Sequence, residues 1–229
     1  MLKKTNAYQL LFFGTVNFVV LTAIAMLVYP GGTTNDHYTN HYSFLTNFFS
    51  DLGRYKTFLG EYKFASLILF AIAMFTLALV VVIFVFQFLK DVVPNKYQGT
   101  KRATKVCAIL FALLLCGVVL TPYDKLNLWH GVTSKLCFLM MLPMCTCMSY
   151  LVYKDKMLKN KYAIFMLSVS VALLIYIFIL FFGPTADKNT YLQTVAQKII
   201  VYLLIFSLMF LSIGCQKHIL QRNKLEDIA

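Results

Sequence analysis

Four polar side chains that could act on a ligand fall close together in the segment Tyr42 to Phe64, YSFLTNFFSDLGRYKTFLGEYKF: Asn47, Ser50, Asp51 and Arg54. Further groups sit at the beginnings of later apolar runs. Asp124, His130, Ser134 and Lys135 form one set, and Gln193, Gln197 and Lys198 the other. Carboxylates beside a histidine can exchange protons near neutral pH, and Arg or Lys can hold an anionic head group. His130 and Ser134 are four apart and share a helical face, as do Gln193 and Gln197, while Tyr191, Thr194 and Lys198 make another row.

Three uses compete for this set. Asp51 and Asp124 can neutralise Arg54, Lys135 or Lys198 in a structural network. Alternatively, the groups can line a binding site. If the protein is an enzyme, Asp51 or Asp124 with His130 supplies the acid and base. No activated nucleophile supports the enzyme reading: Ser50 and Ser134 lack an adjacent His–Asp pattern, and HExxH and GxSxG are absent. Zinc has a thin case, since His37 and His41 are four apart and Asp36, Asp51, Asp124 and His130 add N and O ligands. Loop exposure explains those two histidines better, and no cofactor is expected.

Something must bring these groups together, and composition says what. A chain of 229 residues that is 60% hydrophobic and 13% charged, with a mean hydropathy of +0.73, is a polytopic membrane protein. Six apolar runs can span a bilayer: about 8–29, 62–89, 104–120, 130–153, 162–182 and 194–215. The first is too long for a signal-peptide core and continues past Ala25. Pro143 should kink the fourth. All six cysteines lie within apolar runs, which reads as packing and not as a disulfide framework.

The formal charge of +12 follows topology. Lys and Arg gather in the N-terminus, the loops after the second and fourth spans, and the tail, with two, five, four and three respectively. About five lie in the opposite loops. The positive-inside rule then predicts a multi-pass protein of the cell membrane with N- and C-termini in the cytoplasm. No nucleic acid partner is implied.

This topology places every candidate group on the external side. Reading Ser43 to Arg54 as a short interfacial helix puts Phe44, Leu45, Phe48, Phe49 and Leu52 on one side and Asn47, Ser50, Asp51 and Arg54 on the other. The expected fold is therefore all-α, a single domain over residues 1–229: a six-transmembrane-helix bundle with an interfacial helix between helices 1 and 2.

Asn47-Phe-Phe-Ser-Asp-Leu-Gly53, followed by an apolar helix beginning Phe64-Ala-Ser, resembles a segment of the six-span damage-regulated autophagy modulator (DRAM) superfamily, above all its prokaryotic relatives of unknown function. Pro122-Tyr123-Asp124 and His130-Gly131 resemble a second element of that superfamily. The segment 33–41 has no counterpart there. The resemblance implies lipid handling, because some eukaryotic members are associated with lipid remodelling.

The expected function is binding of a lipid or other amphiphile in an outward-facing polar cavity, without catalysis. Its lining would come from Asn47, Ser50, Asp51, Arg54 and Asp124, with His130, Ser134, Lys135, Gln197 and Lys198. The alternatives are a membrane-embedded hydrolase or acyl-transfer enzyme and, third, a transporter or channel. Membrane lipid is the expected partner, and a second copy or another membrane protein is compatible with the sequence.

Overall fold

The computed structural model describes residues 6–155, 158–183 and 190–226. Lys3, Lys4, Lys156 and Pro184, which flank or end expected spans, lie outside them. Six helices are long and apolar enough to cross a membrane: α1 (Asn6–Leu27), α2 (Phe64–Asp91), α3 (Gln98–Leu120), α4 (Tyr123–Lys154), α5 (Asn160–Phe182) and α6 (Thr190–Glu226). Each is apolar nearly all round. Phe13, Leu79, Leu113, Ile164 and Phe178 point outward, where lipid takes the place of a protein partner.

Consecutive helices pack side by side and α6 returns to α1, so the bundle closes as a ring. Its middle is filled by apolar residues from most of the helices, such as Phe18, Phe70, Phe111, Met141 and Leu204. Three helices well outrun the sequence-based spans: α3 and α4 begin six and seven residues earlier, and α6 continues to Glu226 through what composition marked as a polar tail, while α1 and α2 are shifted by two residues. Polar residues beyond the hydrocarbon do not end a helix, because only the hydropathy stops there. The non-helical backbone within α4 falls at Leu126 (φ −134°, ψ 52°). Pro143 lies inside the helix, in helical backbone.

The connection from Val28 to Lys63 covers one end of the ring, and here the sequence reading needs correction. No α-helix forms over Ser43 to Arg54; turns lead into a single 3-10 turn, Phe49–Gly53. The expected two-sided division does not form either. Asn47 and Asp51 are buried together with Phe49 and Leu52, whereas Phe44 and Leu45 are 47% and 52% exposed. A turn-rich segment has unpaired carbonyls and amides facing inward, so polar side chains are needed beneath it.

Two glycines allow this cover to fold. Gly31 has φ +120°, and a Cβ there would lie 1.9 Å from the Thr39 carbonyl oxygen. Gly53 sits on Phe70 of α2, whose ring carbons a Cβ would meet at 2.8–2.9 Å. After the 3-10 turn the chain makes a small hairpin, with Lys63 N–H donating to Tyr55 O (3.0 Å), Thr57 N–H to Glu61 O (2.8 Å), and Gly60 at its tip.

Candidate functional site

Asn47 is the hub of the cover. Its Nδ2 donates to Gly32 O (2.8 Å) and to Asp51 Oδ2 (3.1 Å), and its Oδ1 accepts from Ser43 N–H (2.9 Å). Asp51 Oδ2 also accepts from Phe48 N–H (2.9 Å), which closes the 3-10 turn from beneath. From α6, Gln197 Oε1 accepts from Phe49 N–H (2.8 Å), Lys198 Nζ donates to Asn47 O, and Thr194 Oγ1 donates to Leu45 O. One face of α6 thus fastens the cover in three places, at i, i+3 and i+4.

Asp124 fastens the other flank. In the first turn of α4, its two carboxylate oxygens accept from Tyr55 N–H (3.1 Å) and Lys56 N–H (3.0 Å). A carboxylate at a helix N-terminus is also favourably placed against the helix dipole. Lys63, at the foot of the hairpin, donates to Leu52 O and Ser66 Oγ, both at 3.0 Å, and lies over the Tyr29 ring (4.6 Å).

These fastenings leave a cavity of about 280 Å³ between the cover and α4, α5 and α6. Ser50, Asp51 and Arg54 line it from the cover; His130, Ser134 and Lys135 line it from α4. Gln193 and Gln197 complete the polar wall from α6, and Tyr176 of α5 closes the back. Eight of the polar residues singled out from sequence share this lining. Asn47, Asp124 and Lys198 do not: all three are occupied in holding backbone. Lys63 was overlooked in the sequence, although a lysine directly before a long apolar run is a visible signal. Thr34, Phe58 and Tyr123 line the cavity with no sequence signal to mark them.

Some atoms at the cavity make no hydrogen bond to described residues. Arg54 is buried, its guanidinium 3.9 Å from the Phe58 ring centroid and 5.9 Å from that of Tyr123; Nε donates to Lys56 O (3.2 Å), and the two terminal nitrogens make no hydrogen bond to described residues. His130 Nδ1 lies 2.7 Å from Thr121 O. A carbonyl only accepts, so Nδ1 carries the hydrogen. Asp51 keeps Oδ1 for the cavity.

Burial governs the charges of the cover. Desolvation raises the Asp51 carboxyl above the ordinary aspartate value, against the opposing effects of the Asn47 hydrogen bond and of Arg54. It pushes Lys63 down to about 7, opposed by the field of Asp51. Tyr29 and Tyr42 are pushed up, again mainly by burial.

Below this polar chamber lies a second, apolar space of about 70 Å³ in the middle of the ring. Ser50, Ser134, Phe138 and Gln197 line both, so the two spaces adjoin. Met74 and Met141 flank the deeper one, and methionine side chains move aside more readily than branched ones.

Elsewhere the histidines of the cover are engaged locally. His37 stacks on Phe58 (5.2 Å) and His41 Nδ1 lies 2.9 Å from Asn40 Oδ1. Among the described residues, no group of three or more His, Cys, Asp or Glu is placed to hold a metal ion.

Residues 14–214 match the model of a family described as protein of unknown function (DUF998), and the chain belongs to that family. The match includes the whole cover and every cavity residue named above. No curated protein and no solved structure matches the chain.

Proposed function

For this multi-span member of the DUF998 family, we propose binding of an anionic amphiphile, with its head group in the polar cavity and its tail directed into the apolar space. The observation that carries the proposal is the Arg54 guanidinium, held between aromatic rings with its terminal nitrogens making no hydrogen bond to described residues, in a cavity that adjoins an apolar one. A flat, pre-oriented guanidinium suits a phosphate or carboxylate, which accepts two parallel N–H bonds. Ser50, Ser134, Gln193 and Gln197 supply neutral hydrogen bonds around it, and Lys135 adds charge at the rim. The apolar space takes only a few methylenes as it stands, so a longer tail displaces Met74 or Met141, or leaves between helices.

The positive-inside rule places this cavity on the external face and the termini in the cytoplasm. Likeness of Ser50-Asp-Leu-Gly53, and of Pro122-Tyr-Asp124 with His130, to the DRAM superfamily supports lipid handling as the role. Native mass spectrometry of the detergent-extracted chain with added lysophosphatidylglycerol and lysophosphatidylcholine tests the reading. The anionic lipid should bind more tightly, and Arg54→Gln should weaken it about tenfold, the loss of one charge-assisted hydrogen-bonding group. Equal affinity for the two lipids, unchanged by Arg54→Gln, would overturn it.

A catalytic reading draws on one observation: His130 shares a cavity with Asp51, Ser50 and Ser134. In that case His130 acts as base toward water or a serine hydroxyl, and Asp51, whose carboxyl burial raises above the ordinary aspartate value, as acid. Hydrolysis of a lipid ester or amide by the purified chain, abolished by His130→Gln, is its signature. Absence of turnover with intact binding leaves the binding reading alone standing.

A further inference from the structure

The opposite end of the ring carries a different feature. Between the end of α2 and the start of α3 lies a groove of about 730 Å³. Val82, Ile83 and Phe86 of α2 form its apolar wall, and Lys90, Lys101 and Lys105 surround its head. On α3, Gln98, Lys101 and Lys105 are spaced i, i+3 and i+7, so that helix presents one amide and two cations to the groove on a single face. We propose that this groove is a second lipid site, which seats the phosphate head group of an anionic phospholipid from the leaflet on the basic side.

Charge and shape together select this occupant. The nearby carboxylate, Asp91, is turned away from the groove: its Oδ2 accepts from Tyr8 OH (3.1 Å) and from Gln87 Nε2 (2.6 Å), and it does not line the groove. Among the described residues the lining contains no carboxylate. Lys101 is fixed by a bond from Nζ to Val93 O (3.0 Å), and Lys105 lies over the Phe86 ring (5.3 Å), so both ammonium groups are held near the groove. A soluble anion would use only the cationic head. An acyl chain, by contrast, continues along Val82, Ile83 and Phe86, whose side chains are open to the hydrocarbon. Anionic lipid is also attracted to clustered basic residues next to a span, at about 1 kcal/mol for each.

The site is independent of the lid-end cavity, which would contribute equally to every variant below. Native mass spectrometry of the full chain with dioleoyl phosphatidylglycerol and dioleoyl phosphatidylcholine reads it directly. The intact chain should retain phosphatidylglycerol preferentially. Lys90→Ala with Lys105→Ala should lower that preference by about fivefold for each lysine, the equivalent of ~1 kcal/mol. Lys96→Ala with Arg102→Ala removes the same charge from the same loop region but outside the groove, and should leave the preference nearly unchanged. Equal losses in the two pairs would reduce the effect to surface electrostatics and overturn the site. Displacement of the phospholipid by millimolar inorganic phosphate would overturn the lipid assignment, as would the lack of any phosphatidylglycerol preference in the intact chain.

Discussion

Lysine does opposite work at the two ends of this bundle. At the covered end, Lys63 and Lys198 are buried, 4% and 1% exposed, and each gives its protons to backbone carbonyls of the cover. At the basic end Lys90 is exposed and Lys105 half-buried, around a groove. The first pair holds chain in place; the second offers charge to whatever approaches. What separates them is partner geometry: a connection without regular structure supplies orphan carbonyls, and a buried ammonium is an affordable donor to them.

The largest test of this contrast is Lys198→Ala. It strips Asn47 O of its charged donor, and the expected loss is on the order of 2–3 kcal/mol, read as a lowered Tm in detergent and faster proteolysis between residues 28 and 63. Lys198→Met fills more of the volume without donating, so it should recover little. Recovery to the parent Tm would show that Lys198 acts by packing alone.

Titration gives the next test, with two opposed slopes. The folded pKa of Lys63, about 7, lies below the ordinary 10.5, so its stabilisation is full above pH 10.5 and is lost as pH falls toward 7. Asp51 is raised above 3.8, so its stabilisation is full below that value and is lost as pH rises through the higher folded pKa. Lys63→Met should flatten the alkaline slope and Asp51→Asn the acidic one. Unfolding midpoints across pH measure both; an unchanged alkaline slope in Lys63→Met would remove Lys63 from the account.

A smaller effect, about 1 kcal/mol, is expected for Asp124→Ala, because the two amides it serves lie near solvent and can turn to water. Smallest of all, Lys90→Ala with Lys105→Ala should change stability by less than about 0.5 kcal/mol. A loss as large as that of Lys198→Ala would erase the distinction between the two ends.

The fold was legible where hydropathy alone decides. Six apolar runs became six helices, and the groups gathered at one end because loop charge and span order already placed them there. Direction was not legible. Residue spacing put Asp124 and Lys198 at the right depth but could not show that each spends its hydrogen bonds on the cover. Asn47 illustrates the deeper difficulty: helical periodicity set it opposite Phe49 and Leu52, yet a turn has no 3.6-residue repeat, and its inward carbonyls and amides drew Asn47 and Asp51 beneath it beside those apolar residues. Lys63 was hidden for a related reason, since its value lies in Leu52 O, eleven positions back.

α6 has 37 residues and so a length of about 55 Å, well beyond the ~30 Å of hydrocarbon. One part of this rod holds the cover through Thr194, Gln197 and Lys198; far along it, Arg222 Nη1 donates to Asp91 O at the end of α2 (3.0 Å). It is pinned near both ends, as a strut is. The cover and the end of α2 are thus joined through one continuous helix, on opposite sides of the bundle.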